Sequence, residues 1–175
     1  MISMKHIVVS AVVTLSVFCA VLYSSCAKDG CKSVTCFNYG SCSGGLCTCL
    51  PGIGGNNCEI VYRRNYAHQY RGNTPGNTGH STSNNVLTFT EGDTTNYNNM
   101  QLEWDDAGTL DVKMPIVLSN NSTSGSSFTV TSTTYNYKTY TGAGSLSSTS
   151  ATLHLTETDT TGHSVYLTFE NFYRQ

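Results

Sequence analysis

Charge is what this chain most lacks. Only 11% of its 175 residues are Asp, Glu, Lys or Arg, against about 25% in an average domain. From Glu59 onward the basic residues Arg63, Arg64, Arg71, Lys113, Lys138 and Arg174 face ten carboxylates. With no basic patch beyond Arg63-Arg64, nucleic acid is not an expected partner. There is one tryptophan and three prolines, and no cysteine after Cys58. No stretch has a long helical period. His-Glu-x-x-His, Gly-x-Ser-x-Gly and phosphate-cradling glycine loops are all absent, which removes the recognisable metalloprotease, serine hydrolase and nucleotide-binding classes. No catalytic residue, no metal and no cofactor is implied.

What is present begins at the N-terminus. Lys5 and His6 precede an apolar run from Ile7 to Leu22, followed by Ser24, Ser25 and Cys26. A basic start, an apolar stretch of about 7–15 residues and a small-residue cleavage site form a secretory signal. The run is shorter than the roughly 20 residues of a membrane-spanning helix. Residues 1–25 are therefore expected to be the signal, and the mature protein to reside where thiols oxidise.

Six cysteines follow in a compact series: Cys31, Cys36, Cys42, Cys47, Cys49 and Cys58. A segment of 28 residues cannot bury enough apolar surface to fold unaided. Disulfides that close short loops contribute about 2–3 kcal/mol each. The absence of Cys-x2-Cys pairs argues against a structural zinc site. Sequence alone allows fifteen pairings of six cysteines. Of the chain's eight cysteines, Cys19 falls within the signal and six in the series, which leaves Cys26 as the odd thiol.

Two resemblances bear on these segments. Leu22-Tyr23-Ser24-Ser25-Cys26 resembles a bacterial lipobox, with Tyr23 in place of the usual aliphatic residue. This implies lipidation of Cys26, attachment to the membrane through the N-terminal lipid, and a short linker over 26–30. Lys28-Asp29 is similar to the export signal of surface lipoproteins from Bacteroidetes-type bacteria, which implies the outer membrane of a diderm bacterium with an outward-facing protein. Cleavage after Ala27 would instead discard Cys26 and release a soluble secreted form. Residues 31–58 resemble an EGF-like module: Asn38-Tyr39-Gly40 stands where the family has Asn-Gly-Gly, and Cys49-Leu50-Pro51-Gly52-Ile53-Gly54-Gly55-Asn56-Asn57-Cys58 follows its closing pattern, with Ile53 for an aromatic. That resemblance implies the pairs Cys31–Cys42, Cys36–Cys47 and Cys49–Cys58 and the role of a spacer. Neither the acidic cluster of calcium-binding members nor the arginine of receptor-activating members is present.

Residues 59–175 carry a different pattern. Met100, Leu102 and Trp104 alternate with Gln101, Glu103 and Asp105; after a turn at Asp106-Ala107-Gly108, Leu110, Val112, Met114, Ile116 and Leu118 alternate with polar residues. A period of two marks half-buried strands, and glycine in a tight turn marks a hairpin. Similar alternation around Phe128, Leu153 and Leu167 predicts eight strands near 67–72, 85–91, 98–105, 109–118, 126–137, 140–148, 151–157 and 163–173. Pro115 lacks an N–H and is expected at an edge or a bulge. Short connections imply an antiparallel meander, closed as an eight-stranded barrel or packed as a two-sheet sandwich. The strand pattern resembles the small lipocalin-like domains of Bacteroidetes lipoproteins.

Functional expectations fall on this mainly β domain. Tyr135, Tyr137 and Tyr140 are the candidate binding face for a carbohydrate or protein surface, because tyrosine joins an apolar ring to a polar tip. His154, His163 and Glu157 could meet across a hairpin, although exposed histidines are the simpler reading. Glu103, Asp105, Asp106 and Asp111 are expected to form a solvated acidic turn. Asp-Thr-Thr triplets at Asp93 and Asp159 resemble an O-glycosylation sequon, which marks Thr94 and Thr160. The leading expectation is a non-enzymatic binding or adhesion module on a lipid-anchored spacer; the alternatives are a carrier of small apolar ligands and, as an outlier, a hydrolase without a recognisable motif.

Overall fold

The computed structural model describes residues 30–74, 76, 79–92, 95–119 and 121–175. Cys26 and Thr94 lie outside the described residues. The cysteine-rich segment holds two small antiparallel hairpins, β1 (Ser41–Ser43) with β2 (Leu46–Thr48), and β3 (Ile53–Gly54) with β4 (Ile60–Val61). Its disulfides join Cys31 to Cys42, Cys36 to Cys47 and Cys49 to Cys58, the pairs that the EGF-like resemblance implies. Because β4 pairs back onto β3, this unit reaches to Val61, two residues past Glu59.

Eight longer strands follow: β5 (Gln69–Gly72), β6 (Asn85–Glu91), β7 (Asn99–Asp106), β8 (Asp111–Ser119), β9 (Gly125–Tyr135), β10 (Lys138–Ser147), β11 (Ser150–Thr158) and β12 (Ser164–Arg174). Each pairs antiparallel with the next, and β12 returns to β5, so the sheet is a closed up-and-down barrel and not a sandwich. Strand alternation decides which side chains fill it. In β7 and β8 every second residue is buried, from Met100, Leu102 and Trp104 to Val112, Met114, Ile116 and Leu118. Closure removes the unpaired edges that an open sheet would present.

Pro115 is accommodated by a break in one ladder. Leu118 N–H donates to Asn98 O on the β7 side, so by the period of two the Pro115 nitrogen faces β9. The β8–β9 register runs from Ser119 only as far as Ile116, whereas the β7–β8 register is continuous. The expected irregularity is thus a local parting of β8 from β9 inside a closed sheet.

The interior is packed with side chains. Trp104 meets Phe169 edge-on at 5.0 Å and Tyr140 at 6.4 Å between ring centroids. Phe89, Phe128, Leu153 and Phe172 are buried around them in one cluster. Gly144 faces inward on β10; a Cβ there would stand 2.5 Å from the Phe128 ring, so glycine makes room for the aromatic. At one end of the barrel Tyr66 and Tyr70 hydroxyls donate to the carbonyls of Ser122 and Ser147.

The cysteine-rich unit is tied to the barrel through a 3-10 turn, Tyr62–Asn65. Arg63 is buried there, with Nε 3.1 Å from Glu91 Oε2, Nη1 donating to Asn96 O at 3.3 Å, and its guanidinium 4.9 Å from the Tyr97 ring centre. Gly52, at φ +84, lies so close to Tyr97 and Asn98 that no side chain would fit. These contacts make a packed joint.

Candidate functional site

The end of the barrel opposite Tyr66 and Tyr70 holds a buried polar cluster. Strand β5 stops at Gly72, and the connection to β6, between Asn73 and Asn84, carries His80 into the barrel end. His80 Nδ1 lies 3.0 Å from Asp106 Oδ2, and Nε2 lies 3.0 Å from Glu157 Oε2. Glu157 Oε1 accepts from Lys138 Nζ at 2.6 Å, and Asp106 Oδ1 accepts from Ser81 N–H at 2.8 Å. The side chains of His80, Asp106 and Glu157 are almost wholly buried. An ionised carboxylate only accepts, so both imidazole contacts are hydrogen bonds at once only when both ring nitrogens carry protons.

The surroundings hold the loop equally firmly. The His80 ring lies 4.8 Å from Trp104 between centroids. Trp104 Nε1 donates to Asn85 Oδ1 at 2.9 Å, and Asn85 Nδ2 donates to Thr74 Oγ1 and Ser81 O. Burial pushes the Tyr140 phenol well above its ordinary range, and the neighbouring Glu157 carboxylate adds to the rise. Its hydroxyl makes no hydrogen bond among the described residues. Burial alone would raise the Glu157 carboxyl too. The hydrogen bond from Lys138, the nearby Tyr140 hydroxyl and the His80 and Lys138 charges outweigh burial and hold it below the usual carboxylate range. The arrangement is a latch that fastens a loop to β7 and β11, with every charged group engaged by another.

The expected site residues are distributed differently. Tyr135 and Tyr137 are on the surface, 38% and 85% exposed, but Tyr140 is buried, so the three do not share one face. The reason is parity: Tyr140 has the inward phase of Gly142, Gly144 and Leu146 on β10. Glu157 points inward, while His154 pairs outward with Thr168 and His163 sits exposed in a turn, so these three are not brought together. Among the described residues no group of three His, Cys, Asp or Glu is placed to hold a metal ion. Glu103, Asp105 and Asp111 do gather on the outer wall, but Asp106 has the inward phase of Trp104 and belongs to the latch. Burial, the neighbouring Glu103 charge and a hydrogen bond with Glu103 push the Asp111 carboxyl up. Thr160 is exposed in the turn after Asp159, whose carboxylate accepts from Thr161 N–H, Thr161 Oγ1 and His163 N–H. Those bonds, the Thr161 hydroxyl first, hold its pKa below the ordinary value.

His80, Lys138 and the paired role of Asp106 and Glu157 were not among the expected residues. A signal for the carboxylates exists in the sequence: continuing the Met100-Leu102-Trp104 and Leu153-Leu155 alternation puts a carboxylate at the next inward position of each strand. No family model, curated protein or solved structure matches this chain. The class that the fold defines is a closed eight-stranded antiparallel barrel joined to a three-disulfide unit.

Proposed function

We propose that this protein is a lipid-anchored cell-surface binding module of a diderm bacterium. In this reading Cys26 carries the lipid, the EGF-like unit over 31–58 sets the barrel off the outer membrane, and the barrel wall contacts a protein or carbohydrate partner. Thr94 and Thr160 are proposed O-glycosylation sites. Supporting a non-enzymatic role, the histidine and carboxylates of the latch are buried and engaged with one another, and Lys138 is engaged with Glu157 from the surface. The tightly filled core around Trp104, Phe128, Leu153 and Phe169 speaks against a cavity for an apolar cargo.

The single observation that carries the binding role is the placement of two tyrosines. Asn38-Tyr39 and Asn136-Tyr137 both turn with positive φ at each residue, 47° and 61° in the first, 47° and 63° in the second. Such turns favour glycine at the second position, because a side chain there costs about 1–2 kcal/mol. Tyr39 and Tyr137 are each 85% exposed, so burial offsets little of that cost. An outlier of this kind points to a contact made outside the chain.

The test has two arms. Metabolic labelling with an alkyne fatty acid should mark the wild-type protein and leave Cys26→Ala unmarked; equal labelling of both would overturn the anchor in favour of a soluble secreted protein. A protein array probed with wild type and Tyr137→Gly should show binding lost in the variant, which keeps the turn geometry. Unchanged binding would remove Tyr137 from the interface.

A further inference from the structure

The barrel closes through a narrow seam. Only two residue pairs, Arg71 with Tyr173 and Tyr70 with Arg174, join β5 to β12, although β12 has eleven residues. Beyond those pairs the strands part, and a cleft of about 460 Å³ opens on the outer wall between Arg71, Asn73, Thr168, Glu170, Asn171 and Tyr173. That volume falls within the roughly 300–1,000 Å³ of small-molecule sites.

A β-bulge aims side chains into this cleft. Ala151 on β11 faces Phe172, but Leu153 faces Phe169, so Glu170 and Asn171 together stand opposite the single residue Thr152. Asn171 takes φ +58. The two polar residues therefore both point outward, between the buried rings of Phe169 and Phe172. Strict alternation would have sent one of them into the core. Bulges of this kind re-aim side chains and recur beside binding and active sites.

The lining narrows the ligand. Among the described residues neither Arg71 nor Glu170 makes a side-chain ion pair, and their opposite charges cancel across the cleft. Asn73 and Asn171 each offer an amide, which both donates and accepts. Tyr173 is 58% exposed and stands directly across the ladder from Arg71. No aliphatic side chain forms a wall, which disfavours a lipid, and the balanced charge disfavours a strongly ionic ligand. A ligand that matches carries many hydroxyls, no net charge and one C–H face for a ring. We propose that this seam cleft binds a neutral saccharide, with Tyr173 stacking on the sugar and Arg71, Glu170 and Asn171 hydrogen-bonding its hydroxyls. This rests on the reading of the barrel as a binding module.

The test is saturation-transfer NMR on the purified mature protein with the methyl glycosides of glucose, galactose, mannose and N-acetylglucosamine, followed by an array of neutral oligosaccharides. At least one should bind. Tyr173→Ala and Asn171→Gly, the second preserving the positive φ, should each weaken binding by about tenfold or more, while Lys113→Ala, on β8 and outside the cleft lining, should leave it unchanged. Binding that survives both cleft variants and is lost in Tyr137→Gly overturns the cleft and keeps the binding module. Failure to bind any neutral saccharide, by a protein that still engages a partner through Tyr137, overturns the cleft in the same way. A protein that binds nothing in either experiment contradicts both.

Discussion

His80 and Glu157 meet at 3.0 Å inside the barrel end, although 77 positions separate them. The contact joins a connecting loop to strand β11, and Asp106 completes it from β7 on the other ring nitrogen. Removing one member leaves a buried charge without its partner, which costs about 3–5 kcal/mol for a fully buried pair. His80→Ala is expected to lower the unfolding free energy by about 3 kcal/mol, measured by urea denaturation. The same variant should speed amide exchange at Ser81 and Asn85 before it affects β11. A loss below about 0.5 kcal/mol would mean that the loop is held by its other bonds.

The pH response follows from groups at the two barrel ends. Glu157 is held below its ordinary value, so its contribution is complete above the unfolded value of about 4.3 and is lost as the pH falls through the lower folded value. Tyr70 is pushed up to about 12, by burial above all, and Tyr140 is also raised, again chiefly by burial. Phenols raised in the fold contribute stability that is complete below about pH 10 and is lost as the pH climbs through the folded values. Thermal unfolding followed by circular dichroism should therefore show the melting temperature falling below about pH 4 and again above about pH 10. A melting temperature that rises below pH 4 would contradict this.

Tyr137→Gly is expected to stabilise the protein. The residue holds φ +63 at a hairpin tip, where glycine avoids a side-chain clash of about 1 kcal/mol. The midpoint of urea unfolding should rise accordingly while the proposed surface binding is lost. Stability and function moving in opposite directions in one variant would separate a contact residue from a structural one.

Arg63→Ala tests the joint. Its guanidinium is buried, but the partner Glu91 is about 40% exposed, so the ion pair itself contributes little after solvent screening. The loss should come mainly from the hydrogen bonds and the packing on Tyr97, at about 1–2 kcal/mol. Limited proteolysis should then cut the variant within residues 59–66 faster than wild type. Equal cutting rates would show that the disulfide unit is held by other contacts.

Much of this architecture is legible in the sequence, and the reason is physical. Alternation of period two around Phe89, Trp104, Val112, Phe128, Leu153 and Phe169 marks six of the barrel strands, and all eight expected strands lie within a few residues of their observed limits. Glycine at the Asp106–Gly108 turn marks its hairpin, where Ala107 and Gly108 both take positive φ. The latch was hidden because charged residues read as surface residues. Asp106 follows the inward phase of Trp104, and Glu157 that of Leu155, but chemistry argued the opposite side. His80 had no pattern at all, since a loop residue acquires its partners only when the barrel closes. The seam cleft depends on the bulge at Glu170-Asn171, and two polar residues in a row look the same in a bulge and in a loop.

The barrel is solid, and we propose that it acts from its outer wall. Trp104 is the only tryptophan and lies fully buried among the inward side chains, so its fluorescence reports on the interior directly. The most direct test is to titrate the protein with palmitate while recording Trp104 emission and its quenching by acrylamide. An unchanged spectrum and negligible quenching are expected at every concentration. A saturable shift in emission at one ligand per chain would show an internal site and contradict it.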